Sequence, residues 1–355
     1  MVRALGRLPL ACLAGMLLLA AAPTGQSGAA AVRVLAEYPL HPVLRAAVDV
    51  RWSGDRSVYL ASGKAGTFEV PLGAAAQPRS LIAGNHERGG FWLSSRVAAS
   101  PRYLVTAAPV FTLRWRPLPG GTDQEVFFDA ILDLDLRDDR LLVLGALKDE
   151  KERFAPDGAI AWIGSLGRKL ADRKPVHYSA YGAGARPLAH CGPFDMGAAR
   201  FLADGSFVIV PGVEPGAFLY DPSGKLVRTW DTRAIGLDTE DCADLSEELQ
   251  ARLAAVPEPR WAWLNRRRIL DDILPLPQGP GLLVRSVSEG RVRWDLQVLT
   301  PGGSIASYAV PVSSPSDLAH LSGDVRDGRM ILLLSAIGRH GPEVPPRLIL
   351  AELPR

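Results

Sequence analysis

The chain has two asparagines and three cysteines in 355 residues. It carries no G-x-S-x-G, no H-E-x-x-H, no P-loop and no G-x-G-x-x-G behind an apolar run. A serine nucleophile elbow, a zinc protease helix and a phosphate-cradling nucleotide loop each need one of these patterns, because each places its reacting group through that spacing. No cofactor and no metal site is therefore expected. A long hydrophobic run is also lacking. The longest, Leu8–Ala22, has 15 residues, short of the roughly 20 that a membrane-spanning helix needs.

An excess of charge is missing too. The 40 Lys and Arg face 38 Asp and Glu, and two of the basic residues are Arg3 and Arg7. A basic start, the apolar Leu8–Ala22 and the small-residue exit "PTGQSGAAA" describe a secretory signal peptide over residues 1–31. Without it the chain holds 38 charges of each sign, so nothing is left to grip a phosphate backbone, and nucleic acid is not an expected partner. Neither is a membrane span after processing. The expected location is outside the cytoplasm, periplasmic or secreted. There Cys191 and Cys242 meet oxidising conditions, and one disulfide between them is the simple expectation.

What is present is a repeat. Phe201–Leu226 reads "FLADGSFVIVPGVEPGAFLYDPSGKL". Short apolar runs flank "DG" and "PSG", which are hairpin signals. With "AARFL" before and "VRTW" after, this makes a four-stranded antiparallel meander. Runs like "FVIV" recur as "VYLAS" (58–62), "YLVTA" (103–107), "LLVLG" (141–145), "LLVRS" (282–286) and "MILLLS" (330–335). Most follow a polar turn and precede a further strand. Six such units predict a six-bladed β-propeller over residues 32–355. The last unit ends after three strands, and "VRVLAEYPL" (32–40) has no unit of its own. It is expected to supply the missing fourth strand and close the ring, leaving no open sheet edge there.

The unit "FLADGSFVIVPGVEPGAFLYDPSGKLVRTW" resembles an NHL-type repeat of the six-bladed, TolB-like propeller superfamily. That superfamily hosts lactonases, sugar dehydrogenases and pure binding scaffolds, so the resemblance implies the fold and no single activity. Its lactonases hold calcium with asparagines and acids near the channel. With only Asn85 and Asn265, this chain departs from that pattern.

Two long intervals between units mark insertions, about 168–197 and 236–268. In a meander propeller both emerge on one face, as does the connection holding "NHE" (85–87). The second predicts a short helix over "SEELQARLAAV" (246–256), with Leu245, Leu249 and Leu253 on one stripe. This face carries the candidate ligand-binding residues. They are His86 and Glu87, His190 and Asp195 beside Cys191, and Trp261, Trp263 and Arg266, where aromatic and guanidinium groups suit a sugar or an anion. Trp anchoring, with the arginines paired to Asp271, Asp272 or nearby acids, is the plain structural alternative for that last group. Asp133 and Asp135 fall on one face of a strand, where they could line the channel. The reading favours an exported binding or protein-interaction module for a small molecule, a glycan or a protein segment. An enzyme at the channel mouth, a hydrolase or sugar oxidoreductase, is the alternative. It would converge His190, Asp195, Asp133 or Asp272 on one pocket, whereas a binding face would show Trp92, Trp261 or Trp263.

Overall fold

A computed structural model describes residues 30–353 apart from 64, 74–76, 84–94, 108–111, 128–129, 147–157, 179–196, 212–215, 239–263 and 339–340. Its strands form six antiparallel four-stranded sheets. Blade 1 is β2 (Asp49–Gly54), β3 (Ser57–Ser62), β4 (Gly66–Pro71) and β5 (Arg79–Ala83). Blade 2 is β6 (Arg96–Ala99), β7 (Tyr103–Ala107), β8 (Thr112–Pro117) and β9 (Gln124–Phe127). Blade 3 is β10 (Ala130–Arg137), β11 (Arg140–Ala146), β12 (Ala159–Leu166) and β13 (Leu170–Tyr178). Blade 4, the unit with the clearest repeat, is β14 (Ala198–Phe201), β15 (Phe207–Val210), β16 (Ala217–Tyr220) and β17 (Leu226–Trp230). Blade 5 is β18 (Ile269–Leu276), β19 (Gly279–Ser288), β20 (Arg291–Leu299) and β21 (Ile305–Ser314).

Blade 6 closes the ring as expected. It is β22 (Ala319–Arg326), β23 (Arg329–Gly338) and β24 (Gly341–Glu352), with β1 (Arg33–Pro39) as its outer strand. The register runs from Arg33 opposite Glu352 to Pro39 opposite Arg347. Pairing starts just upstream of β1, because Ala31 bridges Ala309 of blade 5 in parallel. The Val32 N–H donates to the Ala309 carbonyl at 2.9 Å.

The turns explain why the sequence announces the hairpins. Asp204 Oδ1 accepts from the Ser206 N–H at 3.0 Å, and Gly205 takes φ +87°. Asp221 Oδ1 accepts from the Ser223 and Lys225 N–H groups, and Gly224 takes φ +90°. In both, a carboxylate satisfies the turn amides and a glycine adopts the left-handed conformation that other residues resist.

The core is divided among the blade interfaces. Six clusters of buried side chains lie one between each pair of neighbouring blades. The largest, between blades 5 and 6, has Trp294, Leu283, Leu321 and Leu332 among its members. The smallest lies between blades 1 and 2, with Tyr59, Ala61, Ile82, Val97 and Leu104 as its buried members.

The first insertion is shorter than expected. Residues 170–178 are the outer strand β13, so the connection that follows spans only 179–197. "LADRKPVHY" was hidden by its function as an outer strand. One face meets solvent and carries Asp172 and Lys174, and the run is broken by Pro175. After β17, a single helical turn, α1 (Thr232–Ile235), opens the second insertion. The helix expected over 246–256 lies outside the described residues, as do Cys191, Cys242 and the segment 1–29.

Candidate functional site: a charged channel and its rim

The first strand of each blade lines the central channel. Such a strand has a sheet partner on one side only, so amides on its inner edge lack a strand to receive them. Aspartates of the preceding blade receive several of them. Asp49 Oδ2 accepts from the Val97 N–H at 2.8 Å, joining blades 1 and 2. Asp133 Oδ2 and Asp135 Oδ2 accept from the Ala199 and Phe201 N–H groups at 2.9 and 2.7 Å, joining blades 3 and 4. Asp271 Oδ2 and Asp272 Oδ2 accept from Leu321 and Gly323 at 3.0 and 2.9 Å, joining blades 5 and 6. Asp324 Oδ2 accepts from Trp52 at 2.9 Å and joins blade 6 to blade 1.

Arginines link these carboxylates across the axis. Arg200 of blade 4 donates through Nη1 to Asp133 and through Nη2 to Asp272 Oδ1, the latter at 2.5 Å. Arg51 bonds Asp49 Oδ1 at 2.8 Å and lies 3.8 Å from Asp272. Arg96 Nε donates to the Leu132 carbonyl at 3.0 Å and sits 3.4 Å from Asp133 Oδ1. Asp49, Arg51, Asp133, Arg200 and Asp272 are all buried. Two bulges help aim the acids. Each inner strand slips by one residue, between Ile131 and Asp133 in blade 3 and between Leu270 and Asp272 in blade 5.

The electrostatics follow from burial and from these pairings. Burial pushes the Asp133 carboxyl up, against the pull of Arg200, and Asp272 adds to the rise. Burial raises Asp135 to about 6, and raises Asp324 as well. Asp272 goes the other way. Burial opposes its charge, but Arg200, Arg51 and two backbone amides together outweigh that and hold it below the usual carboxylate range. Burial alone would lower the Arg200 guanidinium, yet Asp133 and Asp272 hold it firmly protonated.

At the insertion-bearing end the channel narrows to a recess lined by Asp49, Arg96, Asp133, Arg200, Asp272 and His320 among others. None of it is wide enough for a water molecule. His320 is the ring nearest solvent there, its side chain 22% exposed, with Nδ1 3.3 Å from Asp271 Oδ1. Asp271 is fixed from behind, since Trp294 Nε1 donates to Oδ2 at 2.5 Å.

Of the residues marked in the sequence, Asp133 and Asp272 converge, bridged by Arg200. Arg266 is exposed at the end of the second insertion. Its neighbour Arg268 pairs with another acid, Asp295, as the structural alternative allowed, and not with Asp271 or Asp272. It donates to the Gly236 carbonyl at 2.8 Å and to Asp295 at 2.9 Å, because the two channel acids are already taken by Arg200, Arg51, Trp294 and backbone amides. His86, Glu87, Trp92, His190, Asp195, Trp261 and Trp263 lie outside the described residues. Sequence reasoning missed Arg51, Arg96, Arg200, His320 and Asp324. A signal was available, since the first strand of each unit places a charge within an apolar stretch ("AVDVRW", "AARFL", "ILDDIL", "LSGDV").

Among the described residues no group of three or more His, Cys, Asp or Glu is arranged to hold a metal ion, and no helix is long and apolar enough to cross a membrane. No protein-family model and no curated protein matches the chain. Solved structures do. A member of the DUF4221 family from Bacteroides vulgatus is 8% identical, over 91% of this chain and 97% of that one, with a TM-score of 0.51. Regucalcin, a calcium-binding protein from Agrobacterium tumefaciens, is 12% identical over 92% and 96%, at 0.46. Virginiamycin B lyase from Staphylococcus aureus is 10% identical over 90% and 99%, at 0.44. Identities this low speak to architecture alone, and the strand topology settles it: the chain is a six-bladed β-propeller, its ring closed by an N-terminal strand.

Proposed function

We propose that this is an exported binding propeller that docks a small molecule, a glycan or a protein segment on its insertion-bearing face. One observation carries the reading. The channel acids that could do chemistry are consumed in holding blades together. Asp49, Asp133, Asp135, Asp272 and Asp324 each accept a neighbouring blade's amide. A carboxylate held this way is a structural acceptor.

The test is a screen of glycans and small molecules against the mature protein, with a hydrogen-exchange footprint for every hit. Protection should fall on the insertion-bearing face, at the connections 84–95, 179–197, 231–268 or 315–318. Protection confined to the opposite face, or turnover of a hit, would sink the reading.

A second reading, an enzyme at the channel mouth, rests on His320. A buried carboxylate fixed by an indole N–H and turned toward a partly exposed imidazole is an arrangement suited to a general base. It predicts hydrolysis of a lactone or ester panel that disappears in His320→Gln. The binding reading predicts no hydrolysis, and no rise in melting temperature when millimolar calcium is added to chelated protein.

A further inference from the structure

A cleft of about 450 Å³ opens between blades 5 and 6, away from the channel. Its cause lies in the sequence. Pro345 and Pro346 have no N–H to give to a ladder. The β23–β24 register accordingly slips, from Leu334 opposite Arg347 to Ala336 opposite Val344. On the other side β1 stops at Pro39, opposite Arg347. The start of β24 is left without an outer neighbour, and the gap between it and the end of the β20–β21 hairpin is the cleft. Its position beside the 315–318 connection puts it on the insertion-bearing face.

The walls are mostly apolar: Pro39, Pro315, Leu334, Val344, Pro345 and Pro346. Two guanidinium groups, one carboxylate and the hydroxyls of Ser313 and Ser314 complete them. Arg347 Nη1 is paired with Glu37 Oε2 at 2.8 Å, while its Nε is buried without a hydrogen-bond partner. Arg291 spends Nε and Nη2 on one neutral acceptor, Ser313 Oγ, at 3.1 and 2.9 Å. Among the described residues no carboxylate pairs with it. The next acid along, Glu343, accepts from Ser316 just beyond the cleft. The cleft is therefore an apolar, small-molecule-sized space with one cation in excess at its edge. Pockets of this size and lining bury a drug-sized ligand and orient it by few polar groups.

We infer that this cleft binds a small molecule made of an apolar body and a carboxylate, the carboxylate meeting Arg291. This rests on the proposal that the insertion-bearing face is the binding face, and it names the ligand class. A guanidinium held in place by a hydroxyl keeps donors in a planar fork suited to a carboxylate.

Phenylpropionate, phenylpropanol and phenylpropylamine share one apolar body and differ in head group. Calorimetric titration of the full mature protein should show the acid binding roughly tenfold tighter than the alcohol, with the amine weakest. Arg291→Glu, an exposed change at a hairpin turn, should abolish that preference and favour the amine. Val344→Trp should fill the cleft and weaken all three. No acid binding at millimolar concentration overturns the inference. An acid preference that survives Arg291→Glu does the same. If the acid binds in that case with its footprint on the 84–95, 179–197 or 231–268 connections, the cleft is wrong and the face is right. If its footprint lies on the opposite face, both fall.

Discussion

Asp135 offers the sharpest test of the channel. Its Oδ2 accepts the Phe201 N–H at 2.7 Å, and burial raises its carboxyl to about 6. A carboxyl raised on folding binds more protons in the folded than in the unfolded chain between about pH 4 and pH 6, so stability falls as pH rises through that window and levels off above it. Full burial with such a rise would set folding back by about 3 kcal/mol at neutral pH. Asp135 keeps part of its surface open to the channel, so about 2 kcal/mol is the better expectation. Asp135→Asn keeps an oxygen for the Phe201 amide and removes the titration. Its new N–H₂ adds a cost of about 1–3 kcal/mol if unpaired, but that cost does not change with pH. The readout is therefore a difference of differences. Urea unfolding is measured at about pH 5 and about pH 7.5 for both proteins. Wild type should lose about 1 kcal/mol more than the variant between the two, because roughly half of the effect already lies below pH 5. Asp133 and Asp324, raised in the same direction, leave the variant some slope of its own. A variant whose stability tracks wild type across the window would refute the assignment.

Arg200→Ala should cost about 3–5 kcal/mol, because it strands the buried Asp133 and Asp272 together. Arg200→Lys should restore only part of this, since one ammonium cannot reproduce the fork that spans both acids; urea midpoints of the two variants decide it. Gly279→Ala should fail to yield folded protein at the wild-type level, judged by circular dichroism of the soluble fraction. Gly279 sits at φ +135°, and a Cβ there would lie 2.1 Å from the Leu299 carbonyl oxygen. Starting the chain at Leu40 removes β1 and bares the β24 edge, and light scattering should show association that the intact chain lacks. Alkylation with and without reductant should show Cys191 and Cys242 protected only in the absence of reductant; thiols that react in both would dismiss the disulfide.

The run that sequence reading found recurring, the second strand of each unit, is buried on both faces, as in "FVIV" of β15 and "YLVTA" of β7. A fully buried strand is a continuous apolar run, and that is visible in one dimension. β13 was missed because an outer strand needs apolar residues on one face only; Asp172 and Lys174 fill the other, and Pro175 breaks the run. The closing role of β1 was legible by subtraction, since the sixth unit is one strand short. The channel was half legible. Asp133 and Asp135 stand two apart and share a face by strand geometry. Arg200 stands alone in "AARFL", where a single arginine reads as an outward side chain. Only the packing of blade 4 between blades 3 and 5 turns that arginine into the centre of a network.

That closure sets an order of events. Of the described strands β1 comes first along the chain and its partner β24 last, yet Arg33 meets Glu352. Five complete blades can form while blade 6 is still waiting, and until residues 341–352 arrive β1 has no sheet to join. The seam therefore works as a check on completeness. A chain cut short by a dozen residues at its far end would lose β24 and, with it, the docking of its own beginning, so damage at one end of the polypeptide is felt as an unpaired strand at the other.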